Sequence, residues 1–244
     1  MRIFYVIYVQ DEILGHYLNA IRYLSNPNEK NDAHITVRGP YKTHLKNEII
    51  QKLNSIIKGD KIRITSVGTF FENHQNTVFL NCTSSKLEQV WQKFDYGFNP
   101  HITLYDGNSR TFAKKLVEIL NSHLINFYFT VNQLSELKSL KGQSDYRLRL
   151  DANIGYIKQK IGSDLEHGDV EKMSQKRRLE LIDKLTFNLS LIKAKKKPSI
   201  TLQNKKEKNY NLDVFTDDKN ENINYLNKRL KEGIPFDLKV LRNL

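Results

Sequence analysis

The chain is poor in the residues that cross-link a protein or carry it into a membrane. It holds one cysteine, Cys82, which excludes an internal disulfide and argues against a structural zinc site. Long hydrophobic runs are missing. The apolar stretch from Ile3 to Val9 is too short to cross a bilayer and no small-residue cleavage site follows it, so it is expected as a first strand. A soluble, cytoplasmic protein is the expectation. Acidic residues are in deficit, 27 against 39 basic ones, for a net charge of +12 and a pI near 9.5. That excess favours a polyanionic partner, of which nucleic acid is the commonest.

What is present is a near-repeat. His34-Ile35-Thr36-Val37 and His101-Ile102-Thr103-Leu104 each run histidine, aliphatic, threonine, aliphatic. On a strand, alternate side chains share a face, so His34 joins Thr36 and His101 joins Thr103, while Ile35, Val37, Ile102 and Leu104 point into a core. An imidazole beside a hydroxyl suits phosphate chemistry, pairing a proton-transfer group with a hydrogen-bond donor. Two such strands brought together would hold one phosphate between two histidines.

The surrounding pattern supports that convergence. Asp11 is placed to cap a helix in which Ile13, Leu14, Tyr17, Leu18, Ile21 and Leu24 recur at helical spacing, and Asn26-Pro27-Asn28 stops it. A first motif strand, Ala33 to Arg38, ends at Gly39-Pro40. A second helix carries Ile49, Ile50, Leu53, Ile56 and Ile57, with Gly59 as C-cap. Lys61 to Phe71 and Thr77 to Thr83 read as a hairpin. Ser84 or Ser85 opens a helix bearing Leu87, Val90, Trp91 and Phe94. The second motif strand runs to Tyr105, a helix follows with Phe112, Leu116, Val117 and Leu120, and Phe127 to Leu140 reads as one strand. Strand, helix, motif strand, helix thus occurs twice, with one motif histidine in each half. A duplicated unit with pseudo-two-fold symmetry would set the motif strands around a central cleft.

After Asp151-Ala152 the texture becomes more basic and more polar. The expected division is a domain over 1–152 and a basic region over 153–244, read either as a small helical accessory domain, with helices at Glu171 to Ala194 and Glu221 to Lys231, or as a partly disordered basic appendage.

The motifs, with Pro100 before and Tyr105 after the second, resemble the signature of the 2H phosphoesterase superfamily, which includes 2′-5′ RNA ligase-like proteins and cyclic nucleotide phosphodiesterases. Gly142 and Tyr146 are similar to a closing Gly-x-Tyr segment of that family. The resemblance implies an α+β fold of bilobal, duplicated β-α-β-α units, with two antiparallel sheets around a central cleft. It implies catalysis by His34, Thr36, His101 and Thr103 without metal or cofactor: one imidazole takes a proton from the attacking hydroxyl, the other gives one to the leaving oxygen, and the threonines donate to non-bridging oxygens. The histidines exchange roles between strand cleavage and opening of a cyclic phosphate, so neither is assigned as base. Two histidines separated by threonines do not supply the three or four convergent ligands of a metal centre.

Tyr5, Tyr8, Tyr41, Tyr105 and Phe71 are candidates to stack on a base, and Arg38, Lys42 and Arg147 to hold flanking phosphates. Arg38-Gly39-Pro40-Tyr41-Lys42 departs from the apolar continuation common in the family and makes the rim basic. His16, His44, His74, His123 and His167 are read as ordinary surface or packing residues. The expected function is phosphodiester chemistry on RNA ends or short oligonucleotides, 2′,3′-cyclic phosphates or 2′-5′ linkages, by a protein acting as a monomer. Hydrolysis of cyclic oligonucleotide signals and non-catalytic RNA binding are the alternatives.

Overall fold

A computed structural model describes residues 2–27, 31–72, 75–92, 97–123, 126–138, 155–156, 159, 169–195, 201–203 and 209–211. The chain forms two compact units, 1–187 and 188–244. The first is built on β1 (Ile3–Tyr8), α1 (Leu14–Ser25), β2 (His34–Tyr41), α2 (Asn47–Ile57), β3 (Lys61–Glu72), β4 (Gln75–Thr83), α3 (Leu87–Val90), β5 (His101–Gly107), α4 (Arg110–His123), β6 (Tyr128–Thr130), β7 (Ser135–Lys138), α5 (Asp169–Lys172) and most of α6 (Gln175–Lys195).

The seven strands make one antiparallel sheet in the order β6-β3-β4-β5-β2-β1-β7. Two separate sheets were expected. Instead the motif strands β2 and β5 are neighbours at the centre of the sheet, in register through Ile35 and Ile102. Buried Ile35, Val37, Ile102 and Leu104 alternate with half-buried His34, Thr36, His101 and Thr103, as period-two patterning requires.

The helices form where apolar periodicity predicts them. Asp11 Oδ1 accepts from the N–H groups of Ile13 and Leu14 at 3.1 and 2.7 Å and so opens α1. Tyr17, Leu18, Ile21 and Leu24 of α1 are fully buried, and α1 packs over β5. Each such burial contributes on the order of 1.5–3 kcal/mol. In α4, Phe112, Leu116 and Leu120 form a buried stripe against β3 and β4. Gly59, with φ +77°, turns the chain out of α2.

Three expected elements come out differently. The helix after Ser84 is a single turn, opened by the Leu87 N–H donating to Ser84 Oγ at 3.1 Å. The strand expected from Phe127 to Leu140 is broken into β6 and β7, which lie at opposite edges of the sheet. Val131 N–H still donates to Asp60 O at 2.9 Å, one step beyond the Lys61–Thr130 pair, and the crossing is then tied to α2 by Leu134 N–H donating to Asn54 Oδ1 at 2.7 Å. That tether uses a backbone donor that a continuous ladder would need. The helix expected from Glu171 is interrupted after Lys172, where Ser174 restarts it as α6 by accepting from Arg177 N–H at 3.2 Å.

In the second unit, β8 (Thr201–Gln203) and β9 (Asn209–Asn211) pair as an antiparallel hairpin. The helix expected over Glu221 to Lys231, the Gly142 and Tyr146 segment, Arg147, Phe94, His74 and His167 lie outside the described residues. No helix among the described residues is long and apolar enough to cross a membrane.

Candidate active site

The two motif strands present matched halves of one site. His34 Nδ1 is 2.6 Å from the carbonyl oxygen of Asp32, and His101 Nδ1 is 2.7 Å from that of Asn99. Each imidazole is thus anchored on the backbone two residues upstream. A carbonyl can only accept, so Nδ1 carries the hydrogen and donates, and the neutral ring keeps its proton-accepting lone pair on Nε2. The same bond fixes tautomer and ring plane at both motifs.

Because β2 and β5 run antiparallel through the Ile35–Ile102 pair, one step along each strand sets His34 across from Thr103 and Thr36 across from His101. The outer strands extend these rows. Tyr8 is the partner of His34 and Val6 of Thr36 on one side, and Phe79 is the partner of Thr103 and Asn81 of His101 on the other.

The histidines differ in their surroundings. His34 meets the ring of Tyr8 edge-on at 5.7 Å between centroids. His101 is walled by Phe79 at 4.9 Å and Phe70 at 6.4 Å, rings that also contact each other at 4.7 Å. Burial in that apolar corner pushes the His101 pKa below the usual histidine value, partly offset by the bond to Asn99 O. His101 is therefore held toward its neutral form at pH 7.

Beyond Ile35 and Ile102, other groups serve the motif backbones. On one side Gln92 N–H donates to Val37 O at 3.1 Å, and Gln92 Oε1 accepts from Gly39 N–H at 2.9 Å and the Tyr41 hydroxyl at 2.8 Å. On the other side α1 reaches the motifs with polar side chains: Asn19 Oδ1 accepts from Ala33 N–H at 2.7 Å, Arg22 Nε donates to Asn31 O at 2.9 Å, and Arg22 Nη1 donates to Thr103 O.

Of the other residues expected at the site, Tyr8 is beside it. Tyr5 is buried in β1, accepting from Leu45 N–H at 2.8 Å, and burial raises its pKa. Tyr41 is occupied with Gln92 and packs edge-on to Tyr5 at 6.1 Å. Tyr105 is turned into the core against Phe112 at 4.9 Å, because a register shift between Phe79–Thr103 and Val78–Tyr105 breaks the alternation after Thr103. A similar shift separates Thr36 from Arg38, whose Nε donates to Val90 O at 2.8 Å. Lys42 is exposed.

Phe71 lies beneath Arg110 at 5.4 Å, and its neighbour Phe70, 45% exposed, is the hairpin aromatic that reaches His101. Phe70, Phe79, Gln92, Asn19 and Arg22 were not singled out in the sequence. Alternation gave no signal for Phe70, since it would set Phe70 on the buried face of Ile62 and Ile64, and the register shift between Ile64 and Ser66 reverses that. Among the remaining described histidines, His16 stacks on Tyr156 at 5.1 Å, His44 pairs with Glu136 at 2.7 Å and His123 approaches Asp183 at 3.7 Å. Among the described residues no three His, Cys, Asp or Glu side chains gather where they could hold a metal ion.

Compared with known proteins, the chain finds no match among curated sequences. A family model does match, that of the 2′-5′ RNA ligase superfamily, over residues 9–143. That stretch is more than half of the chain and holds both anchored histidines and both threonines. The protein is therefore a member of the 2′-5′ RNA ligase superfamily, which is the 2H phosphoesterase superfamily.

Proposed function

We propose that this protein is a metal-independent phosphodiesterase that acts on RNA ends or short oligonucleotides, opening 2′,3′-cyclic phosphates or cleaving 2′-5′ linkages. The observation that carries the reading is the matched anchoring of His34 and His101, each by Nδ1 on the carbonyl two residues before it, with a threonine two residues after it.

In this reading the phosphate sits between the strands. When a cyclic phosphate is opened, His101, held toward its neutral form, accepts at Nε2 the proton of the attacking water. His34, entering the step as the imidazolium, gives a proton from Nε2 to the oxygen that leaves the phosphorus and returns to the neutral ring. In strand cleavage by a neighbouring hydroxyl the two histidines exchange these roles. The P–O bond to the nucleophile forms as the P–O bond to the leaving oxygen breaks, and the proton count closes with one taken and one given. Thr36 and Thr103 donate hydrogen bonds to the non-bridging oxygens, where negative charge grows in the transition state. Each proton transfer supplies about 10²–10⁴-fold. Half-exposed Phe70 and Tyr8 flank the histidines and offer ring faces to a nucleobase, and the net charge of +12 favours a polyanionic substrate.

The test is hydrolysis, with EDTA present, of a 2′,3′-cyclic nucleotide, a 2′-5′-linked oligonucleotide, a 3′-5′ RNA and a cyclic dinucleotide, by wild type and His101→Ala. Turnover that survives chelation and disappears in the variant supports the proposal, and the preferred substrate sets its class. Turnover of the cyclic dinucleotide alone would reassign the protein to signal hydrolysis. RNA retention without any turnover would replace the enzyme by a binding module.

A further inference from the structure

Asn19 and Arg22 of α1 and Asn26 at its C-cap direct their side chains at the motif segments, with Arg22 buried and the two asparagines half-buried. Asn19, Arg22 and Asn26 stand at i, i+3 and i+7, hence on one side of the helix path. Their side chains bond in turn to Ala33 N–H at 2.7 Å, to Asn31 O at 2.9 Å and Thr103 O, and to Asp106 O at 3.2 Å. The first two contacts are on the approach to His34, and the others lie along the strand of His101. The stripe therefore runs along the seam between the motif strands.

Arg22 is the centre of that stripe, a cation only 7% exposed. A buried guanidinium is costly to desolvate, and it is tolerated here because backbone carbonyls receive its donors. Those carbonyls belong to two different motif segments. Asn31 lies one residue before Asp32, whose carbonyl orients His34. Thr103 is the motif threonine two residues after His101, and its cross-strand partner is Phe79. Any shift of Arg22 is thus transmitted to the peptide beside one histidine's anchor and to the other motif's own backbone. Lysine cannot repeat this, because its single ammonium lacks the rigid fork of Nε and Nη donors.

We infer that Arg22 is a positioning residue for the two-histidine site, setting the mutual placement of the His34 and His101 strands from the helix beneath them. The inference rests on the proposed phosphodiesterase reading for its catalytic consequence, but not for its structural one. Its Nε and Nη1 donors are directed at main-chain carbonyls, and it takes no part in the proposed proton transfers.

The experiment compares wild type, Arg22→Lys and Arg22→Met on whichever panel substrate wild type turns over, together with imidazole ¹H–¹⁵N spectra of the same proteins. A folded variant is expected to keep KM within about twofold while kcat falls about 10- to 100-fold, the scale of a misplacement near 1 Å. The His34 and His101 signals move, and those of His16 and His44 stay. A folded variant with kcat within twofold of wild type and both motif signals unmoved overturns the inference. If neither variant folds, Asn26→Ala decides: a fall in kcat of at least threefold with a shifted His101 signal supports it, and an unchanged protein overturns it. If wild type turns over nothing, the phosphodiesterase reading fails, and the imidazole spectra alone decide whether Arg22 positions the pair.

Discussion

The imidazole of His101 lies 4.9 Å from the ring of Phe79, and Phe79 is the cross-strand partner of Thr103. One aromatic residue therefore neighbours both polar residues of the second motif. It removes water from the imidazole, which lowers the His101 pKa from its ordinary value near 6.5.

A pH dependence follows. With His101 as the proposed base in opening a cyclic phosphate, kcat/KM is expected to fall as pH drops through the His101 pKa, and burial places that limb below 6.5. Phe70→Ala opens the exposed side of the aromatic wall and raises the limb toward 6.5. NMR titration of His101 checks this without relying on turnover. Stability has the same sign. The folded chain takes up this proton at lower pH than the unfolded chain, so the contribution is intact above about 6.5 and declines as pH falls through the folded-state value. Thermal melts on either side of that window, with His101→Gln as the control, isolate it.

The four motif side chains give a second prediction. His34→Ala and His101→Ala each lower kcat by about 10²–10⁴ with little change in KM, because proton transfer is confined to the transition state. Thr36→Val and Thr103→Val each cost about 10²–10³, the scale of a lost oxyanion donor. The double histidine variant falls by less than the product of the two single effects, since the imidazoles act on one reaction. Steady-state kinetics on the preferred substrate measure all three.

The motif strands were legible because period-two alternation is a local property: Ile35, Val37, Ile102 and Leu104 had to be buried for the histidines to share the other face. Their direct pairing was not legible, since nothing in either tetrapeptide says whether the strands are neighbours or lie in separate sheets. Tyr105 stands two residues past a motif threonine, and a register shift in between turns it into the core, away from the face that strict alternation assigns. Arg38 keeps the alternation, and its Nε is directed at Val90 O. Arg22 and Asn19 were hidden because a polar stripe on an amphipathic helix ordinarily faces solvent, and only the fold shows that α1 is covered on that side too. The fate of Phe127 to Leu140 depended on a tether to α2, which is non-local.

Gln92 tests how the first motif strand is held. Its Oε1 accepts from both Gly39 N–H and the Tyr41 hydroxyl, so what the position requires is an acceptor. Gln92→Glu retains that acceptor and is expected to change stability by less than about 1 kcal/mol, while Gln92→Leu strands both donors and costs about 1–3 kcal/mol. Chemical denaturation of the two variants distinguishes the acceptor role from simple packing, under which leucine would be the milder change.

Gly68 carries the last prediction, and it reaches the site from two strands away. Gly68 is the β3 partner of Phe79, and a Cβ there would stand 2.2 and 2.5 Å from the Phe79 ring carbons. Its missing side chain is the space into which that ring lies, which leaves the ring's other neighbour, His101, in place. Gly68→Ala must push Phe79 away from β3, and the imidazole at 4.9 Å is in its path. Overpacking of this kind costs about 1–3 kcal/mol. The expected result is a folded protein with a lowered melting temperature, a displaced His101 imidazole signal and reduced kcat. Gly97→Ala, where a Cβ meets nothing within 4 Å although φ is +78°, is the comparison for a purely conformational cost and leaves the His101 signal unchanged.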